Sequence, residues 1–263
     1  MNKRIFFVDA FTDDPFAGNP AAVCLLDGPA DERWMQHVAA EMNLSETAFL
    51  VPVGEGEWAL RWFTPKTEVE LCGHATLASA HVLWNEVGID KPALRFDTCS
   101  GWLGANRRDA WICLDFPARP PLPAPLPEGL VDALGAAPES TWRAGEDLLV
   151  TMAHVDEVRG LEPDMLRLLE VDARGVVVSA ASDSEGVDFI SRFFAPRVGI
   201  PEDPVTGSAH CILAPYWGKR LGKTEMRGLQ ASARSGVVGM SLENDRVTLQ
   251  GKAISTLRGQ LYV

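Results

Sequence analysis

The run Leu71-Cys72-Gly73-His74-Ala75-Thr76 follows a charged, turn-prone stretch, Thr64–Glu70, and opens an apolar segment, Leu77–Trp84, rich in good helix formers. The pattern predicts a helix that starts near Gly73. A glycine there lets a ligand approach the backbone closely, and the first-turn N–H groups, which have no partner inside the helix, point outward with partial positive charge. Such a start can hold a carboxylate. Taken alone, the segment is equally an ordinary core helix behind a glycine.

The chain, however, does this twice. Arg61-Trp62-Phe63-Thr64-Pro65-Lys66 is matched by Arg192-Phe193-Phe194-Ala195-Pro196-Arg197, and each run leads to a helix start. After the first come Cys72-Gly73-His74-Ala75, with Trp84 ending the helical stretch. After the second come Thr206-Gly207-Ser208-Ala209, with Trp217 in a similar place. A weaker pair, Gly18–Val23 and Gly145–Val150, falls at a similar separation. The period is about half the chain, far longer than a solenoid repeat. Two similar lobes are expected, each presenting a helix N-terminus, both turned towards one cleft.

The flanking segments read mainly as strands. Ile5–Phe11, Ala21–Leu26, the stretch after Ser45, Trp58–Phe63, Ala93–Asp97 and Ala110–Phe116 are predicted strands, with one amphipathic helix over Asp31–Met42. The second half repeats this with helices at Leu130–Leu134 and Pro163–Leu169 and strands at Leu148–Ala153, Gly175–Ser179 and Asp188–Phe194. Ser208–Arg220 is its central helix, interrupted or kinked by Pro215, and Val237–Leu242 with Val247–Gln250 forms a closing hairpin. The expected class is α+β: two pseudo-symmetric lobes, each a curled antiparallel sheet or barrel around a central helix. Residues 1–117 form the first lobe, 118–129 a proline-rich linker and 130–263 the second, with the last strand, Gly259–Val263, able to pair with either.

Composition bounds the function. A length of 263 residues suffices for two lobes with sound cores, and a net charge of −12 without any Lys/Arg-rich run excludes nucleic acid as a partner. An anionic ligand therefore needs local help. Five cysteines at irregular spacing, with no C-x-x-C pair, indicate reduced thiols and no zinc site. The apolar run at Ile5–Val8 is stopped by Asp9 and is too short for a signal peptide, and no run reaches membrane-spanning length. A soluble cytoplasmic protein, without membrane contact, is expected.

Glu46 is the carboxylate that stands out. It lies between a helix and a strand beside Leu44, Ala48 and Phe49, where partial desolvation raises a carboxyl pKa towards the general acid/base range. Asn43-x-x-Glu46 also has capping-box spacing, but the β-branched and aromatic residues that follow do not favour a helix. His74 sits in a first helical turn whose positive end favours the neutral ring, able to share a proton. Asp203, Thr206, Gly207 and Ser208 occupy the matching place in the second half, either as helix caps or facing a ligand. Cys72, beside a helix start, is a candidate acidified thiol base. A two-thiol racemase needs a partner, and the repeat sets Thr206 opposite Cys72, with Cys211 more than a turn into its helix. No dinucleotide loop, Walker loop, metal-spaced cluster or hydrolase elbow occurs, so neither cofactor nor metal is expected.

Val8–Phe11, Gly18-Asn19-Pro20, Asn43–Thr47, Phe63-Thr64-Pro65, Cys72–Thr76 and Glu202–Ala209 together resemble the PhzF-like phenazine-biosynthesis family, which shares the diaminopimelate epimerase fold. The resemblance implies an isomerase that works without cofactor, an active site between two lobes, and a homodimer. In the founding member the reaction is isomerisation of trans-2,3-dihydro-3-hydroxyanthranilate by a glutamate that matches Glu46, assisted by residues matching His74, Asp203 and Ser208. Asn19, Gly73, Ala75, Thr206 and Gly207 are then expected to bind a small carboxylated substrate. The phenazine enzyme carries alanine and proline where this chain has Cys72 and Ala75, so the substrate stays open. The alternatives are a racemase or epimerase dependent on Cys72, and a carboxylate-binding protein with the same fold and no chemistry.

Overall fold

Crossover helices explain the architecture. A computed structural model describes residues 3–263; Met1 and Asn2, which begin the span expected for the first lobe, lie outside it. The chain forms two compact units, one running to Asp115 and taking in Gln250–Val263, the other Phe116–Leu249.

In the first unit β1 (Lys3–Ala10) pairs antiparallel with β2 (Asn19–Leu25). The turn between them needs Gly18: its φ is +65°, and a Cβ there would fall 2.2 Å from the Ala10 carbonyl oxygen. Helix α1 (Glu32–Met42) is capped by Asp31, whose carboxylate accepts from the Trp34 N–H at 3.1 Å, and it ends on left-handed Asn43. It carries the chain over to β3 (Glu46–Gly54), parallel to β2, and β4 (Glu57–Phe63) returns antiparallel. After the short β5 (Glu68–Val69) comes α2 (Gly73–His81), whose residues from His74 onward are all buried. The helical stretch does not end at Trp84; it continues as a π-helical turn over Val82–Val87, closed by left-handed Gly88. Then β6 (Ala93–Thr98) lies parallel to β4, and β7 (Gly101–Arg108) and β8 (Trp111–Pro117) follow antiparallel.

The second unit repeats that order. A two-residue strand in the proline-rich segment, β9 (Leu122–Pro123), pairs with β10 (Ser140–Ala144) after α3 (Leu130–Leu134). Antiparallel β11 (Asp147–Thr151), helices α4 (Val155–Arg159) and α5 (Met165–Leu168), and parallel β12 (Gly175–Ala181) come next. Antiparallel β13 (Phe189–Phe194) leads to α6 (Gly207–Leu221), which runs without interruption through Pro215. Parallel β14 (Glu225–Gln230), then β15 (Gly236–Glu243) and β16 (Arg246–Gly251), joined at left-handed Asn244, complete the repeat. The last strand, β17 (Ala253–Leu261), pairs with β1 in the first unit.

Each curled sheet thus has two parallel steps at matching places, a departure from the purely antiparallel expectation. A parallel pair cannot be joined by a hairpin, and the chain spans each step with a helical crossover: α1 and α2 in one unit, α4–α5 and α6 in the other. The central helix packs on one face: α2 contacts β1, β2, β3 and β17, and α6 contacts β14 and β15. The outer helices cover another face, where Met35, Val38 and Ala39 of α1 join Phe49 and Phe63. Strands covered on both faces are buried almost from end to end, as β2, β11 and β12 are.

The duplicated Arg-aromatic motif has one structural meaning in both units. Arg61 grips Glu68 with two bonds of 2.7 Å, and Arg192 grips Glu202 at 2.7 and 3.0 Å. Each guanidinium also lies over the phenylalanine two residues on, Phe63 and Phe194. These forks pin the loops that lead to the two central helices.

Candidate active site

Glu46 is the first residue of β3, paired in register with Ala21, so no helix follows it and the capping box does not form. Asn19 opens β2 two residues before Ala21 and is fully buried. Cys72 is the N-cap of α2, extended in backbone, and its side chain does not cap the helix. Gly73, His74 and Ala75 form the first turn, whose N–H groups lack intrahelical acceptors. Thr76 ties its side chain back along the helix, its hydroxyl donating to the Cys72 carbonyl at 2.6 Å, and leaves those N–H groups uncapped.

These elements bring three functional groups together. His74 Nε2 stands 3.1 Å from Glu46 Oε2, and Cys72 Sγ lies 3.6 Å from His74 Nδ1. Glu46, Cys72 and His74 are 9%, 6% and 6% exposed. The Nε2···Oε2 approach has ion-pair distance without hydrogen-bond angles, and each atom is buried with no hydrogen-bond partner. A buried unsatisfied polar atom costs about 1–3 kcal/mol, a cost structures concentrate at functional sites.

The electrostatics correct two sequence expectations. Burial favours neutral His74, but electrostatic attraction to Cys72 and then to the Glu46 carboxylate 3.1 Å away, with the contact of Nδ1 to the Cys72 sulfur, outweighs it, so its pKa lies well above 6.5. The helix end, expected to keep the ring neutral, is overridden by groups at closer range. Cys72 is not acidified either: burial, then the charge of Glu46, pushes its thiol upward from the ordinary value. Its sulfur is therefore not a ready base.

The second helix start is organised differently. Thr206 is the N-cap of α6, and Gly207, Ser208 and Ala209 form its first turn. The Thr206 hydroxyl donates to Asp203 Oδ2 at 2.6 Å, and its N–H donates to Gln230 Oε1 at 2.8 Å. Gln230 Nε2 in turn donates to the Asp203 carbonyl at 2.7 Å and to Thr206 Oγ1 at 3.1 Å. His210 repeats the part of Thr76, its Nδ1 meeting the Thr206 carbonyl at 2.8 Å. No hydrogen bond among the described residues holds the Ser208 hydroxyl. Sequence reasoning found Asp203, Thr206 and Ser208 but missed Gln230, Thr76 and His210. The shared offset of four residues from each N-cap would have revealed the last two; nothing local marks Gln230, twenty-four residues downstream.

Within its own unit each cluster is complete: Glu46, Cys72 and His74 in the first, Asp203, Thr206 and Gln230 in the second. Fold and cluster define a two-lobed α+β protein with a buried carboxylate–imidazole–thiol group at a helix start. The chain belongs to the PhzC-PhzF family, described as phenazine biosynthesis-like protein, whose model matches residues 8–259. It is 50% identical to an uncharacterized isomerase of Halalkalibacterium halodurans, with 100% of both chains covered. Its fold matches the crystal structure of a PhzF-family protein from Enterococcus faecalis with a TM-score of 0.96, 42% identity and 100% of both chains. A probable proline racemase from Agrobacterium radiobacter shares the fold at a TM-score of 0.66 and 11% identity, over 99% of this chain and 93% of that one.

Proposed function

We propose that this chain is an isomerase or epimerase of a small carboxylated metabolite in which Glu46 removes a proton from carbon and returns it. The observation that carries this is the buried Glu46–His74 contact of 3.1 Å with both facing atoms lacking hydrogen-bond partners. Such a pair can hold one proton between a carboxylate and an imidazole and deliver it to a third group. The family relatives named isomerases support the class. A proton shift leaves the oxidation level of the substrate unchanged, so the reaction needs no redox carrier.

In this reading His74 faces Glu46 with a positive charge, and Asp203 and Ser208 assist. The N–H groups at Gly73–Ala75 and Gly207–Ala209 bind the substrate carboxylate, which accepts from them as at other helix starts. Asn19 and Thr206 complete the binding groups. Five free cysteines support a reducing, cytoplasmic setting, and the family resemblance supports a homodimer.

The test is proton NMR in deuterated buffer with trans-2,3-dihydro-3-hydroxyanthranilate and then a panel of small 2-substituted carboxylates. Deuterium entering a carbon-bound position of one of them is the expected outcome. Saturable binding across the panel with no exchange would instead establish a non-catalytic carboxylate binder. The Cys72-dependent racemase is disfavoured by the raised thiol pKa; it requires that Cys72→Ser abolish exchange, whereas here the variant retains it.

A further inference from the structure

A carboxylate, an imidazole and a thiol within reach of one another form a ligand set as well as a proton relay. One oxygen of Glu46, one ring nitrogen of His74 and Cys72 Sγ all lie within 4.8 Å of one another, and all three residues are buried. Two of the donor atoms, Glu46 Oε2 and His74 Nε2, have no hydrogen-bond partner to give up. We propose that Glu46, Cys72 and His74 bind a borderline-soft divalent metal ion of the zinc class. Zinc takes thiolate sulfur at about 2.3 Å and imidazole nitrogen or carboxylate oxygen at about 2.0–2.2 Å, so tetrahedral donors sit about 3.3–3.6 Å apart. The 3.6 Å and 3.1 Å separations at His74 lie near that spacing and end on different ring nitrogens, Nδ1 towards Cys72 and Nε2 towards Glu46. Binding one ion through a single ring nitrogen therefore requires these side chains to close in from the 4.8 Å within which all three donors already lie. The donor set selects among metals: thiolate and imidazole suit zinc, cobalt and copper and disfavour magnesium and calcium, which require oxygen ligands.

The ion would inhibit. It would occupy the lone pairs of Glu46 and His74 through which the proton moves, a consequence that rests on the proton-transfer reading above.

The experiment titrates the full-length protein with Co2+, whose thiolate complexes absorb by charge transfer. Wild type is expected to develop that band to saturation at one ion per chain, and equimolar Zn2+ to abolish it. Cys72→Ser is expected to lose the band and to bind at least 10-fold more weakly, Cys99→Ser, which removes the exposed thiol, to keep it, and excess Mg2+ to leave it unchanged. No band in wild type, or a band that disappears with Cys99 rather than Cys72, overturns the site. X-ray absorption of the zinc-loaded wild type is independent of any variant: one sulfur neighbour near 2.3 Å is expected, and a shell of nitrogen and oxygen alone contradicts the proposal. On a substrate that exchanges deuterium, stoichiometric Zn2+ should slow exchange more than 10-fold; full exchange at a saturated site contradicts inhibition. A cobalt band in a protein inactive towards every carboxylate would leave the metal site standing and count against the isomerase.

Discussion

The helix starts at Cys72–Thr76 and Thr206–His210 share a backbone design and differ in chemistry. Each has an uncapped N-terminal turn opened by glycine, preceded by an arginine fork, with its N-cap carbonyl tied back four residues later by Thr76 or His210. Beside the first lies Glu46. In the second, strand register places Gly175 where Glu46 stands, since Thr47 opposes Phe63 as Val176 opposes Phe194. A Cβ at Gly175 would meet the Phe193 ring at 2.3 Å, so no side chain fits there. The nearby carboxylate, Asp147, is neutralised instead by Arg119 at 2.9 Å and Arg174 at 2.7 Å. The two helix ends are built alike, and only at the first does a carboxylate face a histidine of the first turn. One carboxylate faces an imidazole, the other two guanidiniums.

Exchanging these carboxylates should separate the two roles most widely. Asp147→Ala leaves two guanidiniums without their counter-ion; with both arginines partly exposed, the expected loss is about 3 kcal/mol of stability, measured by denaturant unfolding. Glu46→Gln should change stability by no more than about 1 kcal/mol. Equal losses in the two variants would break the distinction.

His74 and His210, one from each central helix, should respond to pH with opposite sign. Burial, opposed by a hydrogen bond to the Thr206 carbonyl, holds the pKa of His210 down to about 4. The folded state then binds fewer protons than the unfolded chain, so this contribution is intact above the unfolded value near 6.5. It is lost as pH falls towards 4, by roughly 3 kcal/mol. His74, with a raised folded pKa, contributes fully below that unfolded value and loses its contribution as pH rises through the folded one. Unfolding free energies measured from pH 7 to pH 4 should therefore fall less steeply in His210→Gln. Part of the acid slope should remain, because His81 is also held near 4, first by burial. An unchanged slope would contradict the assignment.

The smallest contrast lies in the forks. Arg192 is 12% exposed and also donates to the Leu161 carbonyl at 2.6 Å, whereas Arg61 is 33% exposed and shares Glu32 at the surface. Truncating Arg192 to alanine should cost about 1–2 kcal/mol more than truncating Arg61, as thermal or chemical unfolding would show. A reversed order would mean that burial does not govern the two pairs.

Legibility followed locality. Both helix starts, Glu46 at a strand edge and the repeated Arg-aromatic motif were readable because glycine, β-branching and residue order act within a few positions. The parallel steps were not, since hydrophobic alternation does not report strand direction. β7, β10, β14 and α4 went unrecognised beside stronger apolar runs. Gln230 and the Asp147 pairings depend on partners 24 or more residues away, and the raised pKa of His74 depends on Cys72 beside it and on Glu46, 28 residues away. For His74 the helix-end rule gave the opposite sign, because Cys72 and a carboxylate 3.1 Å away together outweigh burial and the helix dipole.

The central claim is that the acid/base resides at the first helix start alone. The most direct measurement is the rate of solvent deuterium incorporation into a turned-over carboxylate by wild type and by Glu46→Gln, with binding of the same ligand measured in parallel. The account predicts unchanged binding within about 10-fold and a loss of at least 100-fold in exchange. Wild-type exchange in Glu46→Gln would show that another group carries the proton.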